Sequence, residues 1–363
     1  MNRIRVNLDK KVSKSYDICI GRAIMDRTAL ILAKNNWASR YVIITDSTVE
    51  ELHGRRVLKI FDDANLKADM ISFPAGESAK TLETGLRIAE KLLDLGVDRG
   101  SLVIALGGGV VGDLAGFVAS VYMRGIPYVQ IPTTLLAQVD SSIGGKTGVD
   151  LPAGKNFLGT FYQPKGVFID LTFLETLPAR EFGNGLAEIM KYGVIDDPEL
   201  LEALEGGVDA LRTDDTLLER VVARSCHIKK GIVEIDETEK GLRRVLNFGH
   251  TVGHAVEAES GYRMSHGESV AVGMAAAASI SEKLKYLPAE DRGRIAALIR
   301  TIGLPDRLPQ DMSTEGILSR IKNDKKKDGD TVHFVLLKKL GLPFMNGGVP
   351  EKLVREVIEE MKG

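Results

Sequence analysis

The first half of the chain alternates short apolar runs with stretches of helical spacing. YVIITD (41–46) is a β-branched run that ends on an aspartate, and residues 48–60 then place their apolar side chains at helical intervals. MISFPAG (70–76) reads as a short strand entering a turn marked by Pro74 and Gly76. TLETGLRIAEKLLDLG (81–96) is an amphipathic helix, with Thr81 and Thr84 near its start and Gly96 as its stop. SLVIAL (101–106) has the unbroken apolar character of a buried strand. Three glycines follow it, then a helical segment, VVGDLAGFVASVYM, and another strand, YVQIPTT (128–134). This β-α-β alternation predicts a largely parallel sheet with helices on both faces.

From about residue 180 the period becomes almost wholly helical. LAEIMKYGVI, LLERVVARSCHIKKGIVEID, TVGHAVEAES and ESVAVGMAAAASISEKL all carry it. TVHFVLLKKLGLPFM (331–345) reads as a small hairpin, and EKLVREVIEEMKG as a terminal helix. At the other end, MNRIRVNLDKKVSKSYDICIG alternates like a strand. No repeat or low-complexity segment is evident. The pattern predicts an α/β N-terminal domain (1–178) with a parallel Rossmann-like sheet, followed by a mainly α-helical C-terminal domain (179–363). LPAREFGNG (177–185) is the expected junction, and the cleft beside it the expected active site.

Composition narrows the function classes. At 363 residues, 44% hydrophobic and 27% charged, the chain can bury an ordinary core. A formal charge of −2 gives no support to a nucleic-acid or membrane-surface role, so neither partner is expected. The longest apolar stretch, 102–123, is broken by glycines and by Asp113 and does not read as a membrane span. Cys19 and Cys226 are too far apart to suggest a metal knuckle or a disulfide framework, and the N-terminus lacks the apolar region of a signal peptide. A reduced cytoplasmic enzyme is the simplest expectation. The basic cluster NDKKKDGD (323–330) reads equally as a solvated turn or as part of a site.

Two segments carry candidate chemistry. ALGGGVVGD (105–113) places glycines between a buried strand and a helix start, where free N–H groups and the helix dipole favour a phosphate. Its GGGxxGD spacing differs from the G-x-G-x-x-G fingerprint, and glycines also serve tight packing alone. Asp46 is placed to accept from ribose hydroxyls or to cap the next helix. Gly76 and Lys80 bracket a polar turn at another strand tip, and together these features suggest a dinucleotide across the carboxyl ends of the strands. In the helical half, His250 and His254 share a helix face, and His266 and Glu188 complete a possible open-position metal set. Spacing alone nominates His250 and His254 as the ligands. Arg124, Lys146, Lys155, Asn156, Lys191, Lys229, Arg243 and Asn247 form a cationic and amide-bearing group, several in apparent loops such as VDSSIGGKTGVD and LPAGKNFLG. Lys191 lies three residues after Glu188, on the same helical face, which implies an anionic ligand beside a metal.

Taken together, GGGVVGDLAGFVASVYMRG, IPTTLLAQVDSSIGGKTGVD, GKNFLG, LPAREFGNGLAEIMKYG, IKKGIVEIDETEKGLRRVLNFGHTVGHAVEA and HGESVAVGM resemble the 3-dehydroquinate synthases. The resemblance spans about residues 40–340. It implies conversion of 3-deoxy-D-arabino-heptulosonate 7-phosphate, a phosphorylated sugar acid, to 3-dehydroquinate and phosphate. NAD is oxidised transiently, phosphate is eliminated, the hydride is returned, and an intramolecular aldol step closes the ring. The cofactors implied are NAD and Zn2+ or Co2+.

The resemblance also assigns residues. The metal ligands become Glu188, His250 and His266, with His254 turned to the substrate instead. The NAD contacts fall at Asp46, Gly76, Glu77, Lys80, Gly108, Gly109, Val110, Val111, Gly112, Asp113, Thr133, Thr134, Lys146, Lys155, Phe173, Leu174, Glu175 and Thr176. The substrate contacts are Arg124, Asp140, Lys146, Asn156, Lys191, Lys229, Arg243, Asn247 and His254, plus either Lys325 or Lys326. Arg124 would reach into a neighbouring subunit, which implies a homodimer. Lys146, Lys191, Glu239 and His254 are the expected catalytic residues, the last two for placing protons. The rival readings are a sibling sugar phosphate cyclase and a glycerol-type dehydrogenase. The dehydrogenases usually begin their metal set with aspartate where this chain has Glu188.

Overall fold

The structure is a computed structural model and describes residues 15–152, 154–325 and 332–363. The first 14 residues of the N-terminal strand reading, the side chain of Lys325 and the whole of Lys326 lie outside the described residues.

Six strands form one parallel sheet in the order β1-β8-β5-β4-β2-β3. They are β1 (Asp17–Gly21), β2 (Arg40–Asp46), β3 (Ala68–Phe73), β4 (Ser101–Gly107), β5 (Tyr128–Pro132) and β8 (Gly166–Asp170). The connecting helices are α1 (Met25–Asn35), the single turn α2 (Ser47–Val49), α3 (Arg55–Asp63), α4 (Leu82–Asp94) and α5 (Gly109–Val121). Alternate residues of each strand feed opposite faces. Val42, Ile44, Val103 and Ala105 pack under α4 and α5 with Ile88, Leu92, Leu114 and Val118. Tyr41, Ile43, Ile104 and Ile131 face α1 and α3 with Met25, Leu32, Val57 and Phe61. Every residue of β4 is therefore buried, which explains its unbroken apolar sequence.

The strand order reverses between β2 and β4: β3 lies outside β2, and β5 and β8 extend the other way. Such a switch opens a crevice at the carboxyl ends of these strands. Asp46, Gly107 and Thr133 all sit there, at the ends of β2, β4 and β5.

One segment departs from its sequence reading. The stretches read as loops, VDSSIGGKTGVD and LPAGKNFLG, contain an antiparallel hairpin of β6 (Lys146–Leu151) and β7 (Gly154–Phe161). Its glycines conceal the strand pattern, because close approach of the two backbones requires them: a Cβ on Gly159 would meet the Thr147 carbonyl oxygen at 2.2 Å.

The remaining chain is helical: α6 (Ala179–Ile195), α7 (Pro198–Glu205), α8 (Val208–Thr213), α9 (Asp215–Ile235), α10 (His250–Glu259), α11 (His266–Lys283), α12 (Ala289–Thr301), α13 (Thr314–Lys325) and α14 (Glu351–Glu360). The predicted late hairpin is present as β9 (Phe334–Lys339) and β10 (Leu342–Asn346). The sheet-bearing part ends before α6, and residues 179–185 of the expected junction already belong to that helix. One hydrophobic cluster joins both parts. It runs from Leu135, Val139 and Val167 to the helices that carry Ile189, Val222 and Val270.

No helix of the described residues is long and apolar enough to cross a membrane.

Candidate active site

Three helices meet where the metal was expected. Residues Phe182–Ile195 of α6 are buried throughout, and Glu188 and Lys191 point from this apolar stretch. Helix α11 is rich in small residues, so its neighbours come close. A Cβ on Gly267 would meet the Asn184 Cα of α6 at 2.5 Å, and one on Gly273 would meet the Gly249 carbonyl at 1.9 Å, beside the start of α10. Ser265 and Glu268 form a reciprocal cap that fixes the first turn of α11, where His266 stands.

This packing brings the ligand atoms of Glu188, His250 and His266 within 4.8 Å of one another. Nε2 of His266 lies 3.3 Å and Nε2 of His250 3.6 Å from Oε1 of Glu188. Neither oxygen of this buried carboxylate accepts a hydrogen bond of normal geometry from a described residue, although the Lys191 ammonium is packed against Oε2. On the other side of each imidazole, Nδ1 of His250 lies 3.1 Å from the Phe248 carbonyl and Nδ1 of His266 lies 3.7 Å from Glu257. Two imidazoles with Nδ1 facing acceptors and Nε2 facing an unsatisfied carboxylate fit a divalent cation with an open position.

The same contacts set the charges of the trio. Burial pushes the Glu188 carboxyl up, but Lys191, His266 and His250 pull it down further, to about 2. Burial lowers His250 to about 3 despite Glu188, so this imidazole is neutral near pH 7. For His266 burial is outweighed by Glu188 and Glu257, which raise it to about 9.

The i,i+4 reading of His250 and His254 is not what this geometry favours. Their rings are 5.1 Å apart in an edge contact, yet His254 is exposed and is absent from the clustered ligand atoms. Helical spacing put two imidazoles on one face, but the tightest set takes one residue from each of three helices, α6, α10 and α11.

Around the trio lies the cationic group. Lys229 donates to the Asp140 carbonyl (2.5 Å) and carboxylate (2.9 Å), and the Tyr192 hydroxyl donates to the same carboxylate. Lys191 stands 4.0 Å from Asp140. Burial raises Asp140, but Lys229 and Lys191 overcome it and hold the carboxyl far below its usual range. Lys229 itself is lowered by burial, with Lys191 and Arg243 nearby. Arg243, 2% exposed, donates to the carbonyls of Gly144 (3.2 Å) and Glu237 (2.6 Å). Glu239 is paired with Lys146 and accepts from Asn247 at 2.9 Å. Burial raises this carboxyl, but Lys146 and Asn247 bring it below its usual value. Arg124 stands exposed in left-handed backbone (φ 70°), away at the turn after α5.

The glycine turn forms the other end of the cleft. Gly108 precedes α5, and Gly109–Asp113 make its first turn. Thr133 N donates to the Gly107 carbonyl (3.0 Å), and a Cβ on Gly108 would meet Thr134 at 3.0 Å, so both threonines abut the turn. Asp46 accepts from Thr48 N and Val49 N through Oδ1, which is the capping alternative of its two readings. Gly76 has φ 105° with open space on its Cβ side. Lys80 is 3% exposed and is held 2.5 Å from both Asp113 and the Asn156 side chain, so it is already anchored within the fold. Lys155 bridges Glu77 (3.3 Å) and Glu257 (2.9 Å).

Some expected NAD contacts are turned elsewhere. Val111, Phe173 and Leu174 are core side chains, while Val110 and Gly112 sit in the α5 turn. Glu175 pairs with Arg22, and Thr176 bonds His53 at 2.9 Å. Any contact from 173–174 would have to use backbone. Sequence reasoning also passed over Tyr192 and Glu257. The second had a usable signal: it lies seven residues after His250 and three after His254, on the same face of α10.

Comparison with known proteins is decisive for the family. Residues 70–184 match the N-terminal model of 3-dehydroquinate synthase, and residues 185–327 match its C-terminal model. The chain belongs to the 3-dehydroquinate synthase family. It is 46% identical over 343 residues to the 3-dehydroquinate synthase of Desulforamulus reducens, covering 94% of this chain and 95% of that one. Among solved structures it is similar to 2-epi-5-epi-valiolone synthase from Streptomyces hygroscopicus subsp. jinggangensis with NAD+ and Zn2+ bound. That likeness has a TM-score of 0.90 and 31% identity, over 99% of each chain. A 2-deoxy-scyllo-inosose synthase complexed with carbaglucose-6-phosphate, NAD+ and Co2+ matches with a TM-score of 0.87 and 29% identity, over 95% of this chain and 96% of that one.

Proposed function

We propose that this protein is a working 3-dehydroquinate synthase, converting 3-deoxy-D-arabino-heptulosonate 7-phosphate to 3-dehydroquinate and phosphate with recycled NAD and a Zn2+ or Co2+ ion. The observation that carries this reading is the Glu188, His250 and His266 cluster beside a buried cationic group, in a chain of this family. Bound there, a divalent cation would acidify neighbouring sugar hydroxyls, and the nicotinamide would take up and return one hydride.

The chain's own groups do the rest. Lys191, Lys229, Arg243 and Asn247 supply fixed positive charge and donors for the two anionic ends of the substrate. Asp140 holds Lys229 and Lys191 in place. Lys146 is already paired with Glu239, so an arriving phosphate exchanges one anion partner for another at that ammonium. The freed Glu239 and the exposed His254 are placed to hold or pass protons. At the other end the Gly108–Asp113 turn offers backbone N–H groups to a pyrophosphate. The site lies between the sheet-bearing part (1–178) and the helical part (179–363), which we read as two domains.

We also propose a homodimer. The β6–β7 hairpin exposes Phe157 (44%) and Phe161 (44%) on one side of β7, Leu158 (37%) on the other and Leu151 (38%) at the end of β6, apolar surface of the kind that mates with a partner. Beside it, Met123 and Arg124 are held at positive φ without being glycine, a strain concentrated at functional positions. The unpaired thiols of Cys19 and Cys226 support a cytoplasmic setting.

Phosphate release tests the activity. With the heptulosonate phosphate, Zn2+ and catalytic NAD, the protein should release many phosphates per NAD. Stoichiometric NADH would mark a dehydrogenase instead. The two solved cyclases described above make the sibling reading the relevant alternative, and release only from other sugar phosphates would establish it.

A further inference from the structure

Glu257 belongs to none of the functions assigned above, yet it is among the most constrained carboxylates in the molecule. It is 7% exposed, on the buried side of α10. Its Oε1 accepts from Lys155 at 2.9 Å, and its Oε2 faces Nδ1 of His266 at 3.7 Å. Lys155 comes from the other half of the chain, in β7, where it also reaches Glu77 and lies 4.9 Å from the Tyr262 ring. The opposite nitrogen of His266 points at Glu188.

A buried carboxylate is costly unless cations or donors answer its charge. Lys155 answers one oxygen of Glu257 and fixes the side-chain angle, which leaves the second oxygen directed at the imidazole. When a cation takes the place of the proton on Nε2, an acceptor behind Nδ1 keeps the other proton on that nitrogen, which is the form a metal requires. His250 meets the same need through the Phe248 carbonyl. The two imidazoles are thus oriented by different means, one by rigid backbone and one by a charged side chain held from across the cleft.

We propose that Glu257 is a positioning residue for the metal centre: clamped by Lys155, it sets the tautomer and direction of His266. This rests on the metal-dependent reading of the site given under Proposed function. The side chain of Glu257 contacts Lys155 and His266, so its effect on the metal centre passes through His266.

The test measures metal affinity and not turnover alone. Metal-free wild type and Glu257→Gln are titrated with Co2+ in competition with a chromogenic chelator, and the visible absorption of the bound ion is recorded. Loss of such an outer carboxylate weakens affinity about 10–100-fold, so a drop of that order with altered cobalt bands is expected. Glu257→Asp, which retains the charge, should recover part of the loss and serves as the test variant if Glu257→Gln does not fold. A variant that merely loosened packing would lower the unfolding temperature of the metal-free protein and leave affinity and spectrum unchanged. That result, or wild-type affinity in Glu257→Gln, would overturn the proposal. Failure of the wild type to bind Co2+ or Zn2+ would instead overturn the metal reading of the whole site, so the two failures are distinguishable.

Discussion

The two ends of the cleft are built on opposite principles. At the glycine turn the polar side chains of Asp46, Lys80 and Thr134 already have partners: Asp46 caps α2, Lys80 is held by Asp113 and Asn156, and Thr134 accepts from Ala137 N at 3.1 Å. At the helical end a buried carboxylate has no proper hydrogen bond and faces two imidazole nitrogens across little more than 3 Å. The first end is shaped by backbone and is complete as folded. The second is an arrangement of charge that a cation would complete. A nucleotide should therefore meet a preformed surface, whereas a metal ion should meet charges that its binding completes.

The largest effect to expect is from removing the metal. Chelator-treated protein should lose phosphate release altogether and regain it with Zn2+ or Co2+. Adding the ion should raise the unfolding temperature, since a ligand at a hundred times its Kd stabilises by about 2.7 kcal/mol. Adding NAD alone, without the ion, should leave phosphate release at zero, and turnover with NAD alone would break the contrast.

Next in size is Lys191→Ala. It removes the ammonium packed against Glu188 and 4.0 Å from Asp140. Breaking a buried pair costs about 3–5 kcal/mol, and loss of a charge-stabilising donor costs turnover about 10²–10³-fold. Steady-state kinetics with chemical denaturation would measure both, and wild-type turnover would contradict the role.

Gly108→Ala should sharpen the comparison from the other side. Its Cβ would press on Thr134 at 3.0 Å, at the first turn of α5. The Michaelis constant for NAD should rise while Zn2+ affinity stays at the wild-type value; a parallel loss of metal affinity would show that the two ends are not separate.

The smallest effect concerns acid stability. Backbone N–H groups of Lys240, Gly241 and Arg243 hold the Asp236 carboxyl below its usual range. A carboxyl depressed by folding contributes stability above the ordinary carboxylate range and loses it as the pH falls through its folded value. Wild type should therefore lose this contribution below about pH 4, and Asp236→Asn should not show it. Circular dichroism across pH 2–5 would read the difference.

Legibility followed the same division. The strands β2, β3, β4 and β5 and the late hairpin were plain from apolar runs and turn residues, β4 above all because a strand buried on both faces has no room for polar interruption, whereas β8 (Gly166–Asp170) was not read. The β6–β7 hairpin was hidden because glycines at 148, 154 and 159 replace the alternation that marks a strand. In the site, helical periodicity could pair only residues on one helix, and it chose His250 with His254. The packing that unites Glu188, His250 and His266 depends on Gly267 and Gly273 bringing three helices together, a long-range fact that only the family resemblance anticipated. Asp46 shows the reverse limit: its capping role was written locally, while any ribose contact was not.

Zinc content measures the central claim most directly. Wild type and His266→Ala, equilibrated with the same free Zn2+ and then analysed for bound metal, should hold one ion per chain and none. Equal zinc in both proteins would contradict the assignment of Glu188, His250 and His266 as the metal centre.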